Sequence, residues 1–102
     1  MDSELKGKVA IIGGASKGLG RACAQILAEE GAKITICSRT EADLQQAAAE
    51  IRDTTGAEVL VIPADLESHE SIKSLIATTV DHYGHLDIMV NNSGGPPLAR
   101  SY

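Results

Sequence analysis

The sequence predicts an α/β fold in which parallel strands form a sheet and helices cover it. Four short aliphatic runs alternate with three segments of helical period. The runs start about 25 residues apart, the length of one strand, one helix and two short turns. Val and Ile dominate the runs, as is typical of buried parallel strands. The predicted order is β-α-β-α-β-α-β, with right-handed crossovers between the strands.

The four runs are strand-length and end at turn residues. They are Lys8–Gly13, Lys33–Ser38, Glu58–Pro63 and Leu86–Asn91. A doubly wound sheet places its first strand centrally, so the expected strand order is 3-2-1-4. The fourth strand would then be an unpaired edge. We expect residues 1–95 to form this half-domain and residues 96–102 to form a loop or tail.

Each helical segment carries an apolar stripe with capping residues at its ends. The stripes are Leu19, Ala22, Cys23, Ile26 and Leu27 in the first segment, Leu44, Ala47, Ala48 and Ile51 in the second, and Ile72, Leu75, Ile76, Thr79, Val80 and Tyr83 in the third. Thr40 and Ser68 are the expected N-caps of the second and third helices. Gly31, Gly56 and Gly84 stand where a left-handed residue ends a helix.

Composition excludes several classes of protein. The 102 residues suit one domain, and a net charge of −5 without a Lys/Arg cluster disfavours nucleic-acid binding. No apolar run approaches the roughly 20 residues of a membrane span, and no signal peptide is evident. Cys23 and Cys37 form no metal or disulfide motif, which predicts reduced thiols in a cytoplasmic protein. His69, His82 and His85 lack the partners of a metal site.

A glycine-rich turn follows the first strand and opens the first helix. It reads G-G-A-S-K-G-L-G from Gly13. Gly14 allows a sharp turn, Gly18 allows the backbone to approach a pyrophosphate, and Gly20 allows the helix to pack against the sheet. The helix amides would hold the phosphate charge. The alternative is a tight turn without a ligand.

The spacing G-x-x-x-G-x-G resembles the first motif of the short-chain dehydrogenase/reductases, T-G-x-x-x-G-x-G, with Gly13 in place of the Thr. Two further segments resemble motifs of that family. Asp65-Leu66 is similar to its acidic dipeptide beside the adenine ring, and the segment from Asn91 to Gly94 is similar to its N-N-A-G motif. The three motifs follow the family's order over residues 8–95. The resemblance implies the N-terminal half of a Rossmann fold.

The resemblance also implies a cofactor site. Its residues would be Gly14, Ser16, Lys17, Gly18, Leu19, Gly20, Ser38, Arg39, Asp65, Leu66, Asn92, Ser93 and Gly94. Ser38 stands where an NAD enzyme carries an acid, and Arg39 can bind a 2′-phosphate. With Lys17 as a second cation, NADP(H) is expected in preference to NAD(H). The alternatives are that Arg39 is a solvated turn residue and that Asp65 only caps a helix.

No catalytic residue can be carried over from the family. Its catalytic Tyr, followed by Lys four positions later, lies beyond the N-N-A-G motif. Tyr83 has Asp87 at that spacing, and Tyr102 is the last residue. We therefore expect the cofactor-binding, N-terminal part of an NADP(H)-dependent oxidoreductase for a small carbonyl or alcohol, inactive by itself. Gly94-Gly95-Pro96-Pro97 resembles members described as 3-oxoacyl-carrier-protein-reductase-like. The alternative is a non-catalytic NADP-binding or interaction module. Substrate, reaction direction and homo-oligomer formation stay open.

Overall fold

Alternating strands and helices build one five-stranded sheet with helices on both faces. The computed structural model describes residues 4–91 and the backbone of residues 98–101. The elements are β1 (Val9–Gly13), α1 (Gly18–Glu29), β2 (Lys33–Ser38), α2 (Glu41–Thr55), β3 (Val59–Pro63), α3 (His69–Tyr83), β4 (Ile88–Asn91) and β5 (Leu98–Ser101). The strand order is β3-β2-β1-β4-β5, and the first four strands are parallel. The predicted order 3-2-1-4 is thereby confirmed.

The expectation that β4 is an unpaired edge is wrong. β5 pairs with β4 in antiparallel orientation, with Asn91 opposite Leu98 and Ile88 opposite Ser101. Residues 92–97 separate the two strands, whereas a parallel crossover needs a dozen or more residues. The chain therefore returns alongside β4 in the opposite direction. Residues 98–101, expected to be loop or tail, form this strand.

Alternation along the strands divides the core into two layers. Ala10, Ile12, Ile34 and Ile36 point to the face that α1 and α2 cover. On the other face, Ile11, Cys37 and Met89 pack with Leu75 of α3. A buried pair of hydroxyls joins α3 to the sheet, because Thr79 Oγ1 donates to Thr35 Oγ1 at 3.1 Å. Central β1 is thus buried on both faces.

The stripe predicted for α1 is displaced by one residue. Leu19 and Ile26 are 61% and 58% exposed, while the buried positions are Gly20, Ala24 and Ala28. Small side chains face the sheet because α1 passes close to the end of β1, where a larger side chain has no room. The periodicity predicted the helix correctly, but of its three large aliphatic side chains only Leu27 packs against the core.

The helix ends agree with the sequence at most positions. Ser68 caps α3, its side chain accepting a hydrogen bond from the Ser71 amide. Thr40 occupies the N-cap of α2 but makes no capping bond with its side chain. Gly56 and Gly84 end α2 and α3 in the left-handed conformation. Within the described residues, no helix combines the length and hydropathy needed to cross a membrane.

Candidate functional site

A cavity of about 330 Å³ lies beyond the carboxyl ends of β1, β2 and β3. The loops that follow these three strands form its walls. Its lining residues are Gly14, Ser16, Lys17, Ser38, Arg39, Thr40, Ala64, Asp65, Leu66 and Glu67. In open α/β sheets, the carboxyl edge next to the point where strand order reverses is where ligands bind. In this sheet that point is central β1, since β2 and β4 lie on either side of it.

The turn from β1 into α1 needs glycine at three positions for two different reasons. Gly14 and Gly18 have φ angles of +66° and +67°, which a residue with a side chain rarely adopts. Gly20 is different, because an added Cβ would lie 2.3 Å from the carbonyl oxygen of Gly14. Only glycine lets α1 start this close to the turn. The space beside Gly18 is open, with no atom within 4 Å of an added Cβ.

The first turn of α1 offers backbone amides that have no partner within the helix. Lys17 is the N-cap residue, its side chain makes no capping hydrogen bond, and the first turn contains no acidic residue. In contrast, α2 and α3 carry Glu41 and Glu70 in their first turns. A helix N-terminus with free amides and no nearby carboxylate favours an anion.

Two cations and a hydroxyl line one side of the cavity. Lys17 and Arg39 are exposed, and Ser38, the last residue of β2, is half-buried. The Ser38 hydroxyl accepts a hydrogen bond from the Thr40 amide at 3.1 Å. This bond fixes the turn after β2, and the turn places Arg39 at the mouth of the cavity.

The loop between β3 and α3 forms the opposite wall and carries both carboxylates. The Ala64 amide donates to the Ser38 carbonyl at 2.9 Å, which ties this loop to the end of β2. Asp65 Oδ1 accepts a hydrogen bond from the Glu67 amide at 2.9 Å. Asp65 therefore stabilises the turn before α3 and also lines the cavity. It is not the cap of α3, because Ser68 holds that position.

The cavity brings together predicted residues from three separate loops. They are Gly14, Ser16, Lys17, Ser38, Arg39, Asp65 and Leu66. Gly18, Leu19 and Gly20 lie at the start of α1 and do not line it. Asn92, Ser93 and Gly94 lie outside the described residues. The sequence missed Thr40, Ala64 and Glu67, and their only signal is adjacency to predicted residues in the same loops.

One buried polar atom stands out beside the end of β1. Asn91 Oδ1 is buried and, among the described residues, has no hydrogen-bond partner. It lies 3.4 Å from the position a Cβ on Gly13 would occupy. The two residues are register partners across β1 and β4.

Tyr83 and the three histidines are not among the residues that line this cavity. The Tyr83 hydroxyl donates to the Ile34 carbonyl at 2.8 Å, near the amino end of β2. Burial raises the pKa of Tyr83 to about 12, and the nearby Glu58 carboxylate adds to the increase. His85 Nε2 lies 3.0 Å from Asp87 Oδ2, and Asp87 accepts from the Val9 amide. No group of three potential metal ligands occurs among residues 4–91 and 98–101.

Comparisons with known proteins give a consistent result. The model of a family described as short chain dehydrogenase matches residues 8–101. A 1,6-dihydroxycyclohexa-2,4-diene-1-carboxylate dehydrogenase from Pseudomonas putida is 36% identical over 102 residues, which cover 100% of this chain and 37% of that protein.

Two solved structures are also similar. L-sorbose reductase from Gluconobacter frateurii, complexed with NADPH and L-sorbose, has a TM-score of 0.87 and 36% identity, over 93% of this chain and 36% of that one. Xylitol dehydrogenase bound to NAD+ has a TM-score of 0.85 and 31% identity, over 91% of this chain and 35% of that one. The chain spans about a third of the length of the relatives it matches.

Proposed function

Because the chain belongs to the short-chain dehydrogenase family, we propose that it is the cofactor-binding part of an NADP(H)-dependent oxidoreductase. The proposed reaction is hydride transfer between the nicotinamide and a small carbonyl or alcohol substrate. One observation carries the proposal, namely that a single cavity at the carboxyl ends of the strands gathers Lys17, Ser38 and Arg39. The relatives with known cofactors include both an NADPH complex and an NAD+ complex, so the preference must come from this chain's own residues.

The charges around the cavity support a 2′-phosphate on one side only. Lys17 and Arg39 belong to the loops after β1 and β2, whereas Asp65 and Glu67 belong to the loop after β3. A phosphate dianion placed between the two cations gains charge-assisted hydrogen bonds. Ser38 at the end of β2 brings no carboxylate that would repel it. The carboxylates of the opposite wall suit the neutral adenine and ribose, which offer hydrogen-bond donors.

The pyrophosphate is assigned to the start of α1. Its free amides and the open space beside Gly18 fit a phosphate group brought close to the backbone. The nicotinamide half is assigned to Asn92, Ser93 and Gly94 on the sequence motif alone. When bound, the cofactor supplies the hydride, while the residues of this chain bind and orient it.

This chain is proposed to be inactive by itself, because protonation of the forming alkoxide needs an acid near the nicotinamide. Tyr83 does not meet that need. Its hydroxyl is committed to the Ile34 carbonyl near the amino end of the sheet, and the cavity lies at the carboxyl end. We also propose a cytoplasmic location, supported by the two free thiols of Cys23 and Cys37.

Calorimetric titration of the chain with NADPH and with NADH tests the cofactor assignment. We expect NADPH to bind about tenfold or more tightly, since a hydrogen bond to a charged group contributes about 1.5–3 kcal/mol. Lys73→Ala is the matched control for removing a cation of the cavity such as Arg39, because Lys73 is an exposed cation of α3 that does not line the cavity. Tighter binding of NADH, or binding of neither dinucleotide, would contradict the assignment.

One observation favours a second candidate, a non-catalytic NADP-binding module. β5 covers the edge of β4, so the described sheet does not end in an unpaired parallel strand there. Both candidates predict NADPH binding without turnover by this chain. Reduction of a ketone by the purified chain would refute the assignment of inactivity.

A further inference from the structure

The backbone conformation of Gly13 does not require a glycine. It ends β1, is buried, and is absent from the glycines with a positive φ angle. A residue with a side chain could adopt its backbone conformation. A side chain there would however require Leu66 to shift, because an added Cβ would lie 2.5 Å from Leu66 Cδ1, the end of that side chain.

The surroundings of this missing Cβ are rigid on one side and flexible on the other. On the β4 side lie Asn91 Oδ1 at 3.4 Å and the Val90 carbonyl oxygen at 3.5 Å. These atoms belong to the central sheet, where β1 and β4 are paired. The nearest atom of all is Cδ1, at the end of the Leu66 side chain. A larger residue 13 would therefore displace Leu66 rather than the sheet.

Leu66 belongs both to the core and to the cavity. It packs against the layer formed by Ile11, Cys37, Leu75 and Met89, and it also lines the cavity. Core packing leaves little free volume behind it, so a displaced Leu66 moves toward the open cavity. The space available in the cavity therefore depends on the position of the Leu66 side chain.

We propose that Gly13 is a positioning residue for the nucleotide cavity. Without a side chain, it lets Leu66 rest over the end of β1 and keeps the Leu66 methyl groups from projecting farther into the cavity that Leu66 lines. In that position Leu66 offers an apolar wall to the adenine ring. This inference rests on the proposed function in so far as a dinucleotide occupies the cavity.

The test combines Gly13→Ala with the compensating change Leu66→Val, which removes the colliding Cδ1 carbon. Methyl NMR of the leucine-labelled chain reports the position of Leu66, and titration with NADPH reports affinity. In Gly13→Ala we expect the Leu66 methyl resonances to shift and the dissociation constant to rise about tenfold, the factor that 1.4 kcal/mol represents. The double variant should recover most of the affinity.

Gly56→Ala is the matched control, because it makes the same chemical change far from the cavity. Gly56 has a φ of +73°, and an added Cβ there meets no atom within 4 Å. We expect this control to lower stability without changing NADPH affinity.

The outcomes separate this inference from the proposed function. Unmoved Leu66 methyls, unchanged affinity in Gly13→Ala, or no recovery in the double variant would each overturn the inference. If Gly13→Ala alone does not fold, a folded double variant supports the size coupling and an unfolded one overturns it. If the unmodified chain binds no dinucleotide, the proposed function fails, and the Leu66 resonances alone then decide the inference.

Discussion

Replacing Gly20 with Ala should destabilise the fold, although Ala is the better helix former. Gly20 lies in α1, and the Cβ of an alanine there would sit 2.3 Å from the Gly14 carbonyl oxygen and 2.8 Å from its carbonyl carbon. Real Cβ contacts essentially never fall under 3.0 Å, so α1 and the turn must separate by at least 0.7 Å. Both partners are backbone, and no flexible side chain can absorb this shift.

The expected loss is set by two opposing effects. Helix propensity alone would stabilise the variant by about 1 kcal/mol. Overpacking of a close contact costs about 1–3 kcal/mol, and a contact between two backbone segments falls at the upper end of that range. We expect a net loss of about 1–2 kcal/mol in the free energy of unfolding. For a chain of this size that lowers the melting temperature by roughly 4–16 °C.

Urea unfolding measures this loss. Far-ultraviolet circular dichroism is used to follow it, because the chain has no Trp to serve as a fluorescent probe. Ala22→Gly serves as the matched control, because Ala22 is exposed in the same helix. It should lose about 1 kcal/mol through helix propensity alone. Propensity predicts opposite signs for the two variants, whereas the structure predicts a loss in both. A Gly20→Ala variant more stable than the unmodified chain would refute the close approach of α1 to the turn.

Three further outcomes are expected. Arg39→Ala should weaken NADPH binding about 10- to 100-fold and leave NADH binding nearly unchanged, as titration against Lys73→Ala will show. Burial raises the pKa of Tyr83 from 10.0 to about 12, so the fold keeps the neutral phenol to higher pH than the unfolded chain does. That stabilisation is complete below pH 10 and is lost as the pH rises through 12. Between pH 10 and 12, the urea midpoint of Tyr83→Phe should therefore fall less steeply than that of the unmodified chain. An equally steep fall in both would exclude Tyr83 as the cause. Cys23 should react with a thiol reagent in the native chain faster than Cys37, whose pKa burial raises to about 12; equal rates would contradict the burial of Cys37.

The order of the sheet could be predicted because local patterns determine it. Aliphatic runs spaced by one helix leave few topologies for parallel strands, and the doubly wound order is among them. The positions of Gly14 and Gly20 followed from the same logic, since a strand-turn-helix unit needs glycine where the backbone turns or comes close. The order 3-2-1-4 and the conformation of Gly14 are found as expected.

What the sequence did not predict depends on contacts between distant segments. Leu19 and Ile26 fit a helical stripe, yet close packing against the turn selects Gly20 and the alanines of α1 instead. The sequence of β5 contains no aliphatic run that would predict a strand. It forms a strand because the edge of β4 is open to pairing. Glu67 lines the cavity, and the loop that carries it is tied to the end of β2 by a backbone hydrogen bond that the sequence does not indicate.

The central position of β1 also has a consequence for the order of folding. Its partner β2 follows closely along the chain, but its other partner is far away, since Ile11 pairs with Met89. The hydrogen bond from the Val9 amide to Asp87 joins residues 78 positions apart. Contacts of such long range form late, because the intervening loop must first close. During synthesis one edge of β1 therefore stays exposed until β4 has emerged, and the seam between these two strands is where we expect misfolding to begin.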